Sequence, residues 1–138
     1  LVPIIEAAQS NIRFMAFSFT HDALGAAVLA RAEAGVDVKG IFETRGSETE
    51  YSELPAMYCA GLEVRQDGNP RTFHHKVMII DDEIIITGSL NFSDNADDSN
   101  DENVIILANA EIAAQYLAEF ERRWAEAKDP DPEDMNCK

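Results

Sequence analysis

Residues 11–42 read NIRFMAFSFTHDALGAAVLARAEAGVDVKGIF, and this stretch decides the fold class. Residues 11–19 mix β-formers and aromatics in a short run suited to a buried or half-buried strand. Leu24, Ala27, Val28 and Ala32 then recur at helical spacing after a cap at Thr20 or Asp22, until Gly35 ends the pattern. Residues 36–42 read as the next strand. A strand, a helix and a strand in this order form a right-handed crossover between parallel strands.

Outward from this unit, residues 48–60 read as a second helix ended by Gly61, and residues 62–65 as a third strand. Residues 66–70 are dense in turn formers. Two strands, 73–81 and 83–89, then follow almost back to back with a hinge at Asp81-Asp82, which is the pattern of a hairpin. Residues 104–108 give another strand. Residues 110–127 form a helix capped by Asn109, with Ile112, Ala113, Tyr116, Leu117, Phe120 and Trp124 on one face. Asp129-Pro130-Asp131-Pro132 stops it. No internal repeat or linker divides the chain. The expectation is one α/β domain over residues 1–128, a mixed β-sheet sandwiched between helices, with a loose tail at 129–138.

Composition bounds the function. The 138 residues, 46% hydrophobic and 27% charged, are those of one ordinary globular domain and exclude a disordered or collagen-like chain. Apolar runs are too short for a membrane span, because Asp81, Asp82 and Glu83 interrupt the longest. The chain starts at Leu1 without a secretion-signal pattern and reads as processed or excised. It is expected to be soluble, with its compartment unassigned and an extracytoplasmic or membrane-peripheral location open. A net charge of -15, from 26 acidic against 11 basic residues, opposes polyanions on average. Nucleic acid is therefore the less favoured partner, although a few placed cations can outweigh the global sum. Cys59 and Cys137 are far apart and form no metal-ligand spacing, so neither a zinc site nor a disulfide is expected.

The chemistry concentrates in His74-His75-Lys76, Gly88-Ser89-Leu90-Asn91 and Glu102. Strand alternation puts His74 and Lys76 on one face and His75 on the other. Ser89 and Asn91 share a face at the end of the neighbouring strand, where Gly88 permits close backbone approach. An imidazole beside an ammonium, a hydroxyl and an amide suits a phosphate. A neutral imidazole attacks phosphorus when a carboxylate on its far nitrogen fixes the tautomer, and Glu102 is the candidate for that task. Asp81 falls on the opposite face from His74 and reads as architectural, pairing at the hairpin.

His74-x-Lys76-x4-Asp81-x6-Gly88-Ser89-x-Asn91 resembles, without a gap, the HxKxxxxD...GSxN signature of the phospholipase D superfamily. Glu102 falls where that family places the carboxylate that orients its histidine. The specific match covers residues 74–103. The resemblance implies phosphodiester hydrolysis, or transphosphatidylation, without metal or other cofactor. One histidine attacks phosphorus to give a phosphohistidine, and a second protonates the leaving oxygen and later activates water. It assigns catalysis to His74, Lys76, Asn91 and Glu102, with Ser89, Gly88 and Asp81 in support. The family's site uses two such motifs. This chain has one, since His21 is followed by Asp22 and Ala23 rather than by x-Lys. The second must come from an identical chain or from another domain of a longer protein, whose C-terminal half this chain would resemble.

Substrate is left open by a motif that reads only the phosphate. A phospholipid comes first, on charge balance. The rivals are a homodimeric nuclease acting on DNA or RNA, which needs Arg13, Lys39, Arg65 and Arg71 in one groove, and a noncatalytic dimerisation half. His75 is expected to be structural, facing a helix or accepting a backbone hydrogen bond, and Asn103 to join loop to strand. Arg45 is a plain loop arginine or a rim contact for phosphate. Phe14, Phe17, Phe19 and Trp124 read as core. Asp94, Asp97, Asp98 and Asp101 lack the spacing of a calcium loop and read as a solvated turn.

Overall fold

The sheet is built in two halves of opposite character. In the computed structural model, which describes residues 1–93 and 102–137, β1 (Asn11–Ala16), β2 (Asp37–Phe42) and β3 (Glu63–Gln66) run parallel. On the other side of β1, β4 (Lys76–Ile80), β5 (Ile84–Gly88) and β6 (Val104–Ala108) pair antiparallel in turn. The order β3-β2-β1-β4-β5-β6 gives the expected mixed sheet.

Helices cover both faces. Phe14, Ala16, Val38, Phe42, Met78, Ile80 and Ile86 point to one layer, where they meet Leu24, Val28, Leu54 and Met57 of α2 (Asp22–Glu33) and α4 (Leu54–Cys59). Met15, Ile41, Val77, Ile79 and Ile85 point to the other, where Ala113 and Phe120 of α5 (Ala110–Glu126) close the core. Both cores use the period of two along each strand, so a one-residue slip would exchange them.

Several boundaries differ from the sequence reading. His21 caps α2, its Nδ1 accepting the Leu24 N–H at 3.3 Å, in place of Thr20 or Asp22. Of the expected 48–60 helix only α4 is helical, starting late because Pro55 lacks an N–H and is tolerated only in a first turn, and a separate short helix, α3 (Thr44–Ser47), precedes the expected range. A short helix unread in the sequence, α1 (Val2–Glu6), seats Ile5 in the core.

The tail is not loose. Its helix α6 (Pro132–Met135) is capped by Asp131 and buries Met135 against the core. Cys137 forms a disulfide with Cys59 at the end of α4, their Cα atoms 5.4 Å apart. This corrects the expectation of unbridged cysteines. Their separation of 78 residues says nothing of their distance once α6 folds back on α4. A loop of this length is a case in which a bridge stabilises by about 2–4 kcal/mol, through the entropy removed from the unfolded chain.

Glu53 is buried, with its carboxyl packed over Gly25. Burial, then a hydrogen bond and repulsion from Asp22, push its pKa up to about 7. This group favours folding most below its unfolded value, near 4.5, and loses that contribution as pH rises toward 7.

The hairpin turn fixes the register of β4. Asp81 and Asp82 both adopt φ of 56°, the left-handed central pair of a turn closed by the Glu83 N–H on the Ile80 carbonyl at 3.1 Å. The Asp81 carboxylate accepts the backbone N–H groups of Gln9, Ser10 and Asn11 at 2.6–3.2 Å. Burial would raise its pKa, but these donors, with Arg31 nearby, hold it below the usual carboxylate range. The turn is thereby tied to the start of the central strand, the architectural role expected of it. Asp81→Asn should cost about 2 kcal/mol of unfolding free energy, the scale of hydrogen bonds to a charged group, as read by denaturant melts at neutral pH. The cost should vanish at acid pH, once the wild-type carboxylate is protonated.

Candidate active site

The C-terminal ends of β1, β2, β3 and β5 and the N-terminal ends of β4 and β6 all lie at one edge of the sheet, as the pairing directions require. In sheets with a parallel half this edge, beside the point where strand order reverses, is where ligands bind. His74, Lys76, Ser89 and Glu102 are all carried there.

The His74–Lys76 pair is the centre. Lys76 Nζ lies 2.9 Å from Nδ1 and 3.2 Å from Nε2 of His74, and donates to the His74 carbonyl at 3.2 Å. Phe17, just past β1, packs its ring on His74 with centroids 4.6 Å apart, and the Lys76 ammonium sits 5.2 Å above the same ring. The Phe17 N–H donates to the His75 carbonyl at 2.8 Å, which holds the two segments together. The sequence reading put Phe17 in the core. The structure makes it the platform of the histidine, while Phe14 and Phe19 are core as expected.

His75 turns the other way, as alternation requires. Its Nε2 lies 3.2 Å from Glu119 of α5, and its ring packs edge-on against buried Phe73. Burial would raise the Glu119 pKa, but Arg123, Arg122 and His75 together lower it. His75 thus pins the strand to the helix and leaves His74 facing the open edge.

Across the edge, Ser89 Oγ donates to the Glu102 carboxylate and accepts the Asn103 N–H at 3.1 Å. The Ser89 N–H donates to the Asn103 carbonyl at 3.0 Å, so Asn103 joins loop to strand. Gly88 makes this possible. Its φ is 141° and a Cβ would land on the Asn103 carbonyl oxygen, so no side chain is tolerated. Asn91 follows on a segment held by Phe92, whose N–H donates to Ser18 and whose carbonyl accepts from Thr20 and His21. The Asn91 side chain is not brought onto His74 or Lys76. Its Oδ1 is buried and makes no hydrogen bond among the described residues.

Electrostatics couple the two sides. Burial lowers the Lys76 pKa from its ordinary value, and the Glu102 charge partly restores it. A phosphate ligand needs Lys76 protonated, and Glu102 extends the pH range over which it is.

Of the four cations that a nuclease groove across a dimer needs, three are paired within the chain. Arg13 pairs with Asp37, Lys39 with Glu63 and Arg65 with Asp129, and Arg65 and Lys39 both lie over Trp124 on the α5 side. Asp94, Asp97, Asp98 and Asp101 lie outside the described residues. Among the described residues, no three His, Cys, Asp or Glu side chains gather in a metal-holding group.

Residues 1–124 match the family model described as cardiolipin synthase, PLD-like domain. The chain belongs to the phospholipase D superfamily. Mitochondrial cardiolipin hydrolase of Mus musculus is 36% identical over 126 residues, covering 91% of this chain and 57% of that protein. Phospholipase D of Rickettsia bellii is 36% identical over 121 residues, covering 88% and 60%. The chain thus spans little more than half the length of these curated relatives. The crystal structure of a phospholipase D family member, Nuc from Salmonella typhimurium, superposes with a TM-score of 0.87 at 33% identity, covering 94% of this chain and 87% of Nuc. NucT from Helicobacter pylori, 22% identical with a TM-score of 0.85, shares the fold.

Glu102→Gln in this phospholipase D-like domain should move the Lys76 pKa further down, because it removes the charge that opposes burial. NMR titration of the Lys76 side chain reads this. An unchanged or raised value would break the link between Glu102 and the lysine.

Proposed function

We propose that this domain cleaves phosphodiesters through a phosphohistidine, with a phospholipid as substrate. The observation that carries the reading is the His74–Lys76 pair, held on Phe17 at the open edge of the sheet. His74 attacks phosphorus, a P–N bond forms and the P–O bond to the leaving alcohol breaks. A second histidine gives that oxygen its proton, then takes one from water, whose oxygen displaces His74 and restores it. An alcohol in place of water would give transfer of the phosphatidyl group. Lys76 neutralises the phosphoryl oxygens, and the Nδ2–H of Asn91 donates to them once its side chain turns to the site. Glu102, steadied by Ser89, holds the tautomer of His74. No step calls on a metal ion.

The second histidine belongs to a second copy of the chain. The edge strand β6 supports this, since it starts two residues beyond Glu102. Val104, Ile105, Ile106 and Leu107 are 37%, 46%, 49% and 36% exposed there, an apolar strip on an edge that no strand pairs among the described residues. A phospholipid is favoured by the net charge of -15, by cations already paired away from the site, and by the printed names of the cardiolipin hydrolase and phospholipase D relatives. No described helix is long and apolar enough to cross a membrane, so the lipid would be met from the surface. The Cys59–Cys137 bond supports an oxidising compartment.

Hydrolysis of bis(p-nitrophenyl) phosphate in EDTA tests the chemistry. Turnover should survive chelation, fall about 10³-fold or more in His74→Asn, and rise per chain with protein concentration as the two-copy site assembles. Turnover that EDTA abolishes, or that His74→Asn retains, overturns the mechanism. A folded, dimeric and inert chain would establish the noncatalytic reading instead.

A further inference from the structure

Of the eleven Lys and Arg residues in the sequence, all but Lys138 are described, and most are already engaged. Arg13, Lys39 and Arg65 pair with Asp37, Glu63 and Asp129, and Arg122 and Arg123 pair with Glu119. Arg31 donates to the Ala8 carbonyl, and Lys76 lies against His74. Arg45, Arg71 and Lys128 remain. Among the described residues their side chains make no hydrogen bond or ion pair, and all three line one hollow of about 340 Å³.

Three separate parts of the chain build this hollow. Arg45 sits on α3, which follows β2. Arg71 sits on the loop after β3, and Lys128 lies beyond α5, where its backbone exchanges hydrogen bonds with Gln66 at 2.7 and 2.8 Å. Two carboxylates also border it, but both are buried and turned inward. Asp67 accepts the Thr44 N–H and hydroxyl at 2.8 and 3.0 Å and the Asn69 N–H at 3.2 Å, and Glu43 accepts the Gly46 N–H. They fix the two loops and leave the cations facing outward with unspent donors. In a chain of net charge -15, three cations without a side-chain partner among the described residues make this the place best suited to an anion outside the His74–Lys76 pair.

The hollow adjoins the His74–Lys76 pair. Arg71 precedes His74 by three residues, a reach of at most about 11 Å in extended chain. On the other side Gly46 packs directly on the Phe17 carbonyl, and the Phe17 ring carries His74 and Lys76. Building on the phosphodiesterase reading above, we propose that Arg45, Arg71 and Lys128 bind a second phosphate of the same substrate, so that the domain selects a lipid carrying two phosphodiesters over one carrying a single phosphodiester. The local sum of three cations and two inward carboxylates suits one further phosphate. It does not suit a long polyanion, which would run on across an acidic surface whose remaining cations are paired.

Two measurements on the intact chain keep this inference separable from the catalytic one. The first compares kcat/KM for cardiolipin and phosphatidylglycerol in mixed micelles. Wild type should favour cardiolipin, and Arg45→Gln/Arg71→Gln should lower the ratio by about tenfold or more, as expected for lost charge-assisted hydrogen bonds. Arg45→Lys/Arg71→Lys should restore much of it, which a folding defect would not. The second, independent of turnover, is sedimentation of His74→Asn with vesicles of either lipid matched in surface charge. Preference for cardiolipin vesicles should persist there and disappear on adding Arg45→Gln/Arg71→Gln. A preference that survives the Gln substitutions, or is absent from wild type in both assays, overturns the second-phosphate site. Lost binding and cleavage of a single-stranded oligonucleotide, with the lipid ratio intact, would overturn it in favour of nucleic acid. Vesicle preference without any turnover would retain the site and refute only the catalytic reading.

Discussion

The antiparallel pairing of β4 with β1 is the constraint on which the rest depends. It opposes Lys76 to Ala16 and Met78 to Phe14, at the junction between the parallel and antiparallel halves of the sheet. From that register Phe17 falls under His74, His75 reaches Glu119 of α5, and the ends of β5 and β6 bring Ser89 and Glu102 to the same edge. A shift of one residue would send His74 into the helical layer and His75 to the open edge. The turn at Asp81 and Asp82, clamped to residues 9–11, resists that shift.

The site has two sides of different build. His74 is confined by Phe17 and Lys76, and the strand beneath it is buried on both faces. Opposite, Ser89, Glu102 and Asn103 form a small network on the β5–β6 margin, beside an apolar edge without a strand partner among the described residues. Closure of that edge by a second copy would bring a second motif to the first without rearranging the core. The same economy marks the charges: nearly every cation outside the working edge is paired or capped, so the acidic surface leaves positive potential where phosphate chemistry is assigned.

What the sequence disclosed follows from the range of the interactions involved. The crossover unit, the hairpin and the opposite facing of His74 and His75 are set by period-two and period-3.6 patterns within a few residues, and all appear in the structure. Gly88 was legible for the same local reason. The Cys59–Cys137 bridge, the anchored tail and the Phe17 platform were not, because each joins segments whose proximity only the packed sheet creates. Nor were the placement of Arg65 and Lys39 over Trp124 and the convergence of Arg45, Arg71 and Lys128, which are scattered in sequence. The late start of the second expected helix did carry a local signal in Pro55.

The central claim is that His74 forms a covalent bond to phosphorus. Rapid quench of the chain during turnover of a phosphodiester, followed by peptide mass spectrometry under conditions that preserve phosphohistidine, addresses it directly. The account predicts a phosphoryl-containing adduct on the peptide carrying His74, formed only with substrate and absent from His74→Asn. An adduct on His75 or His21, or sustained turnover with His74 unmodified at every quench time, would contradict it.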